Sequence, residues 1–134
     1  QGIGQVIIEE LGNKHLDCRF NLVTWWKLAT QDLKKLNQSG PGGTGHAGEF
    51  ETSLMLFISP ELVQNDKINQ PSDQKYNPLV GDMITSPIIS HFQKIKKISK
   101  NGVVGNPFVS STEKGENISK IITSKLVKLI QNMN

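Results

Sequence analysis

The first eleven positions carry apolar residues at Ile3, Val6, Ile7 and Leu11, the three- and four-residue spacing of a single helix face. This predicts a helix from Gln1 to about Leu11, with Gly2 and Gly4 as a close-packed entry and Gly12-Asn13 as its stop. Phe20, Leu22 and Val23 then crowd the short run Cys18 to Val23, which reads as a buried strand running into Thr24-Trp25-Trp26. Trp26 to about Leu36 suits a short helix. A segment almost without side chains follows, Ser39-Gly40-Pro41-Gly42-Gly43-Thr44-Gly45, and leads into His46-Ala47-Gly48-Glu49-Phe50-Glu51-Thr52-Ser53 and the apolar run Leu54 to Ile58. A helix is predicted over 46–58, with Ala47, Phe50, Leu54 and Phe57/Ile58 as its apolar stripe.

Pro60-Glu61-Leu62-Val63 opens a further helical turn, and Asn65 to Gly81, rich in Pro, Asn and Asp, reads as a long surface loop. Met83 to Pro87 and His91 to Ile98 could each hold a short strand. The last segment is the most regular: Ile118, Ile121, Ile122, Leu126, Leu129 and Ile130 form one helical stripe, and Ser110 and Glu113 stand at capping-box spacing before it. This helix is expected to pack on a sheet with its lysines toward water. Strands alternating with helices argue for an α/β fold, a three-layer α/β/α domain with a mostly parallel sheet.

Composition narrows the function classes. Net charge is +3 and the pI about 9.0, mildly basic. The only lysine cluster, Lys94, Lys96, Lys97 and Lys100, is not interleaved with stacking aromatics, so it reads as a solvated surface and not a nucleic-acid footprint. The single cysteine, Cys18, excludes an intrachain disulfide and fits a reducing, cytoplasmic setting; within a strand it would be a buried, inert thiol. No apolar run reaches the roughly 18 residues of a membrane span. His15 and His91 read as exposed.

Candidate chemistry concentrates at the glycine loop. Glycine lets backbone approach a ligand closely. In a helix starting near His46, His46 and Glu49 share one face, as do Glu49 and Ser53, which sets an imidazole and a carboxylate at the loop's mouth. Such a pair can hold a metal or move a proton. The plainer alternative is a solvent-exposed His46 and a Glu49 that only complements the helix dipole.

The run His-Ala-Gly-Glu-x-Glu-Thr-Ser followed by Leu-Met-Leu, residues 46–56, resembles the signature of the creatininase family of metal-dependent amidohydrolases. Gly102-Val103-Val104-Gly105-Asn106-Pro107 with Ser111-Thr112-Glu113-Lys114-Gly115 resembles that family's closing motif, with Asn106 in place of Asp and serines where alanine is usual. The resemblance implies a hydrolase acting on a C–N amide or cyclic amide bond of a small molecule through a two-metal site of zinc or manganese. It implies His46 as acid/base, Glu49 as a metal ligand, Trp26 as a substrate wall with Gly45 at the substrate side of the loop, and a homo-oligomer. It also implies that Gln1 follows an Asn-Gly-His-Gly-Gly-Asn loop. On that reading residues 1–134 are a single domain, the C-terminal part of a creatininase-like domain without its N-terminal metal ligands. The glycine loop lacks the additional Trp of members closest to creatininase, which counts against creatinine as substrate. Two functions therefore stay open: an amidohydrolase of this family, or a catalytically inactive remnant acting as an oligomer-assembly or binding module.

Overall fold

A computed structural model describes residues 2–68, 77–85, 87–90 and 92–133. Its described residues hold helices and turns and no β-strand, so the expected α/β/α sandwich with a parallel sheet is not the fold of this structure. In chain order the helices are α1 (Gly2–Lys14), α2 (Trp25–Leu28), α3 (Thr30–Leu36), α4 (Glu49–Ile58), α5 (Ile95–Ile98) and α6 (Thr112–Gln131). Short 3-10 turns occupy Pro60–Leu62, Asn65–Lys67 and Pro107–Val109.

The departures have local causes. Residues 18–23, expected as a strand, lie outside any ladder: a strand needs a neighbour's N–H and C=O groups, and among the described residues no strand pairs with them. Cys18 is accordingly exposed, not buried. Near Met83 the strand is pre-empted by Asp82, whose Oδ1 accepts the N–H groups of Ile84 (2.9 Å) and Thr85 (2.8 Å) and so closes a turn. Ile95 and Ile98, three apart, share a face of a helical turn but would point to opposite faces of a strand, and α5 is what forms. Ser86, His91 and residues 69–76 lie outside the described residues, so the expected exposure of His91 and the middle of the long loop fall there.

Three helix predictions need adjusted bounds. The first helix passes Gly12-Asn13 and ends at Lys14. The segment after Trp25 breaks into α2 and α3 at Ala29, whose φ of −110° and ψ of 11° leave the helical region. The signature helix begins at Glu49 and not near His46.

The core sits where α6 crosses α4 and packs against α2 and α3. Phe50, Leu33, Ile118 and Ala29 are its fully buried apolar residues, with Trp25, Trp26, Leu36, Leu54, Ile121 and Ile122 packed around them. Burying a side chain such as Phe50 is worth about 1.5–3 kcal/mol. α6 starts at an N-cap one residue later than the spacing suggested: the Ser111 hydroxyl accepts the Lys114 N–H at 3.1 Å. Gly115 is what lets α6 lie on α4, since a Cβ there would stand 2.0 Å from the Ser53 carbonyl oxygen. So α6 packs on a helix instead of a sheet, and one of its lysines, Lys114, is buried.

Candidate functional site at the glycine loop

The glycine loop and the segment 102–107 meet backbone to backbone. Val104 N–H donates to the His46 carbonyl (2.7 Å), and Asn106 N–H donates to the Gly43 carbonyl (2.9 Å), which also accepts the Glu49 N–H (3.0 Å). No side chain fits between them. A Cβ on Gly45 would lie 1.9 Å from the Val104 oxygen, and one on Gly105 would lie 2.7 Å from the Gly48 Cα. The two glycine-bearing motifs recognised in the sequence thus need glycine for one shared reason, which is close contact between their backbones. For Gly45, expected at the substrate, the structure supplies this packing role.

His46 stands on the turn before α4. Ala47 holds a φ of 51°, left-handed for a residue with a side chain, a conformation that costs roughly 1–2 kcal/mol. That reversal separates His46 from the helix. The expectation that His46 and Glu49 share a helical face is therefore corrected: the His46 side chain is 71% exposed and Glu49 is fully buried. The imidazole instead faces Glu51, with Nδ1 3.5 Å from Glu51 Oε2. The same Glu51 oxygen accepts the Ala47 N–H at 2.7 Å, so the carboxylate is held in place by the strained turn it faces.

Glu49 lies on the other side of that turn. Its carboxylate accepts the N–H of Gln38 (2.9 Å), the N–H of Ser39 (2.9 Å), the Ser39 hydroxyl (2.5 Å) and the Lys114 ammonium (2.5 Å). Burial would push this carboxyl up, but the hydrogen bonds from Lys114, Ser39 and Gln38 outweigh it and hold Glu49 below the ordinary carboxylate range. Lys114 completes its own shell with Gln38 Oε1 (2.9 Å) and the Val109 carbonyl (2.7 Å). The loop is also held from outside. Asp82 Oδ2 accepts the Gly42 N–H at 2.8 Å, and Asp82 too is kept low by hydrogen bonds from Thr85, Gly42 and Ile84 against the opposing effect of burial.

A divalent metal, which the family resemblance implies, can be tested against these donors. Both oxygens of Glu49 are already occupied by N–H and O–H donors and a lysine ammonium, whose positive charge repels a second cation at contact distance. Glu49 as placed does not fit a metal. Among the described residues no three His, Cys, Asp or Glu side chains converge where a metal could sit.

Trp26 is half-buried in α2, edge-on to Trp25 with ring centroids 5.4 Å apart, and packs against the core. No hydrogen bond, ion pair or ring contact joins it to His46 among the described residues. Sequence reasoning passed over Glu51, Asp82 and Lys114. Lys114 was within reach of the pattern: it lies four residues before Ile118, on the apolar stripe itself.

Comparison with known proteins bears on all of this. Residues 2–130 match the family described as Creatininase: Creatinine amidohydrolase. A 77-residue stretch is 30% identical to a protein of Mycobacterium ulcerans (strain Agy99) named mycofactocin precursor peptide peptidase, covering 58% of this chain and 28% of that protein. The chain thus matches little more than a quarter of that relative's length. No solved structure matches it. With the family's pattern running through nearly every residue described above, the chain belongs to the creatininase family of amidohydrolases.

Proposed function

We propose that the protein acts in hydrolysis of an amide C–N bond, and that the bond is a peptide bond with His46 as the acid/base group. The observation that carries this is the His46–Glu51 pair: an exposed imidazole whose Nδ1 faces a carboxylate at 3.5 Å. A carboxylate facing one ring nitrogen fixes the orientation and tautomer of the imidazole. The ring can then accept a proton from an attacking water and return it to the departing amine. Family membership supports the reaction class, and the name of the mycobacterial relative, a precursor peptide peptidase, supports a peptide substrate over creatinine. Zinc or manganese would polarise the carbonyl when bound. Glu49 as placed is not among the groups that would hold it, and no step here runs through the metal.

The competing reading is an assembly or binding module. It is favoured by the lack of a convergent ligand cluster among the described residues. Turnover separates the two. The protein is assayed against short peptides and cyclic amides with added zinc or manganese, alongside His46→Ala. General acid/base groups are worth about 10²–10⁴-fold, so His46→Ala is expected to lower peptide turnover by that factor. Equal rates in both proteins, or none in either, would reject the acid/base assignment.

A further inference from the structure

We propose that Glu49 is the ion-paired anchor of the glycine loop, held by Lys114, and not a metal ligand in this chain. Three observations carry it. The carboxylate is fully buried and takes hydrogen bonds from four donor groups, two of them consecutive backbone N–H groups at the start of the loop, Gln38 and Ser39. Its counter-ion comes from a distant element, and that ammonium is itself saturated by Glu49, Gln38 and Val109. The Glu49 backbone belongs to the same knot, because its carbonyl accepts the hydroxyls of Ser53 (2.6 Å) and Ser110 (3.0 Å).

A ligand awaiting a metal keeps an oxygen for it. Here the acceptor capacity points at the loop and at α6. A bound cation would have to displace the buried Lys114 ammonium and strip the carboxylate's hydrogen bonds from Gln38 and Ser39. The loop, in turn, carries His46 at its end, so the anchor acts on the imidazole through the backbone between Ser39 and Gly45.

The inference deepens the hydrolase reading, and its test reads metal content and amide exchange instead of turnover, so the two can fail separately. Hydrogen exchange and zinc or manganese content are measured for the protein, for Glu49→Ala and for the apolar pair Glu49→Leu/Lys114→Met. In Glu49→Ala the amides of Gln38 and Ser39 are expected to exchange up to about tenfold faster, the loss of a hydrogen bond of ordinary worth. Exchange in the last turns of α6 should stay as it was, and the His46 ring resonances should shift as the loop loosens. A role confined to α4–α6 packing would leave the His46 resonances in place. Metal content should not change between the variants. If Glu49→Ala does not fold, the apolar pair supplies the same readings, since it roughly keeps the residues' volumes and removes the oxygens that accept the Gln38 and Ser39 N–H groups. Stoichiometric zinc or manganese in the unsubstituted protein that is lost in either variant would overturn the proposal. So would unchanged exchange at Gln38 and Ser39.

Discussion

The junction of the glycine loop with α4 and α6 and the N-terminal segment 2–24 are built on opposite terms. In the junction, Thr44, Glu49, Phe50, Ser53, Lys114 and Ile118 are all buried, and five polar contacts converge on one carboxylate. In the N-terminal segment no residue of α1 is buried, and Ile3, Val6, Ile7, Leu16, Leu22 and Val23 are exposed. Apolar periodicity alone does not therefore decide where a core forms. The core forms where small residues let backbones touch and where most polar groups drawn inside meet a partner, the Thr44 hydroxyl being an exception among the described residues. Stability is expected to concentrate in the junction, with α1 opening locally at little cost.

The largest break in that contrast comes from Lys114→Met. It removes the ammonium and leaves the Glu49 carboxylate buried without its counter-ion. Breaking a buried pair from one side typically costs about 3–5 kcal/mol, a large share of a small domain's stability. Urea unfolding should show it as a lowered midpoint. Glu49→Gln/Lys114→Met should recover most of the loss, because a neutral pair leaves no orphan charge.

Gly115→Ala comes next. The added methyl would meet the Ser53 oxygen at 2.0 Å and the Phe57 Cβ at 2.8 Å, and neither is the free end of a flexible chain. α6 must move off α4, at a cost of about 1–3 kcal/mol for overpacking, offset only in part by alanine's better helix propensity. A thermal midpoint equal to the unsubstituted protein would show that the crossing yields easily.

Acid should weaken the junction more gently. Glu49 and Asp82 both have pKa values lowered in the fold, so their contribution is complete above the unfolded values near 4 and declines as pH falls through the lower folded values. The groups facing Glu49 are Lys114, Ser39 and Gln38, and those facing Asp82 are Gly42, Ile84 and Thr85; none of these loses charge in that window. Protonated Glu49 can still accept hydrogen bonds, so the effect should be smaller than that of Lys114→Met. Asp32, paired with Lys125 at 2.9 Å, shifts in the same direction but at the surface, where screening leaves little of it. Urea midpoints measured stepwise from neutral pH to below 4 would check the sign.

These expectations also show what was legible in the sequence. α6 was, because its stripe and its serine cap are local signals that tertiary contacts reinforced. α1 was, though its glycines did not end it where expected. The strands were not. Val, Ile and Phe runs favour a pleated surface only when neighbouring strands exist to pair with, and that is information no short window carries. At the site, His46 and Glu49 were singled out but their relation was not legible, and Glu51, Asp82 and Lys114 were passed over. His46 and Glu49 stand three apart, but one left-handed residue, Ala47, sends one to solvent and the other into the core. Alanine gives no sequence signal for that conformation, whereas glycine or asparagine would have.

The smallest effect sharpens the comparison most directly, through a second glycine-to-alanine change within a helix. A Cβ on Gly12 would meet nothing within 4 Å, and its φ is not in the left-handed range. The substitution therefore carries no clash, and alanine favours the helix by about 1 kcal/mol over glycine. In the junction such a gain would raise the global midpoint. In α1, which buries no residue, it should appear locally: slower hydrogen exchange of the α1 amides and slightly greater helicity, with the urea midpoint nearly unchanged. The paired result, Gly115→Ala felt by the whole fold and Gly12→Ala felt by one helix, would establish that α1 is energetically separate from the rest. A full gain at the global midpoint for Gly12→Ala would mean instead that α1 unfolds together with the core, and that its exposed apolar face is coupled to the junction after all.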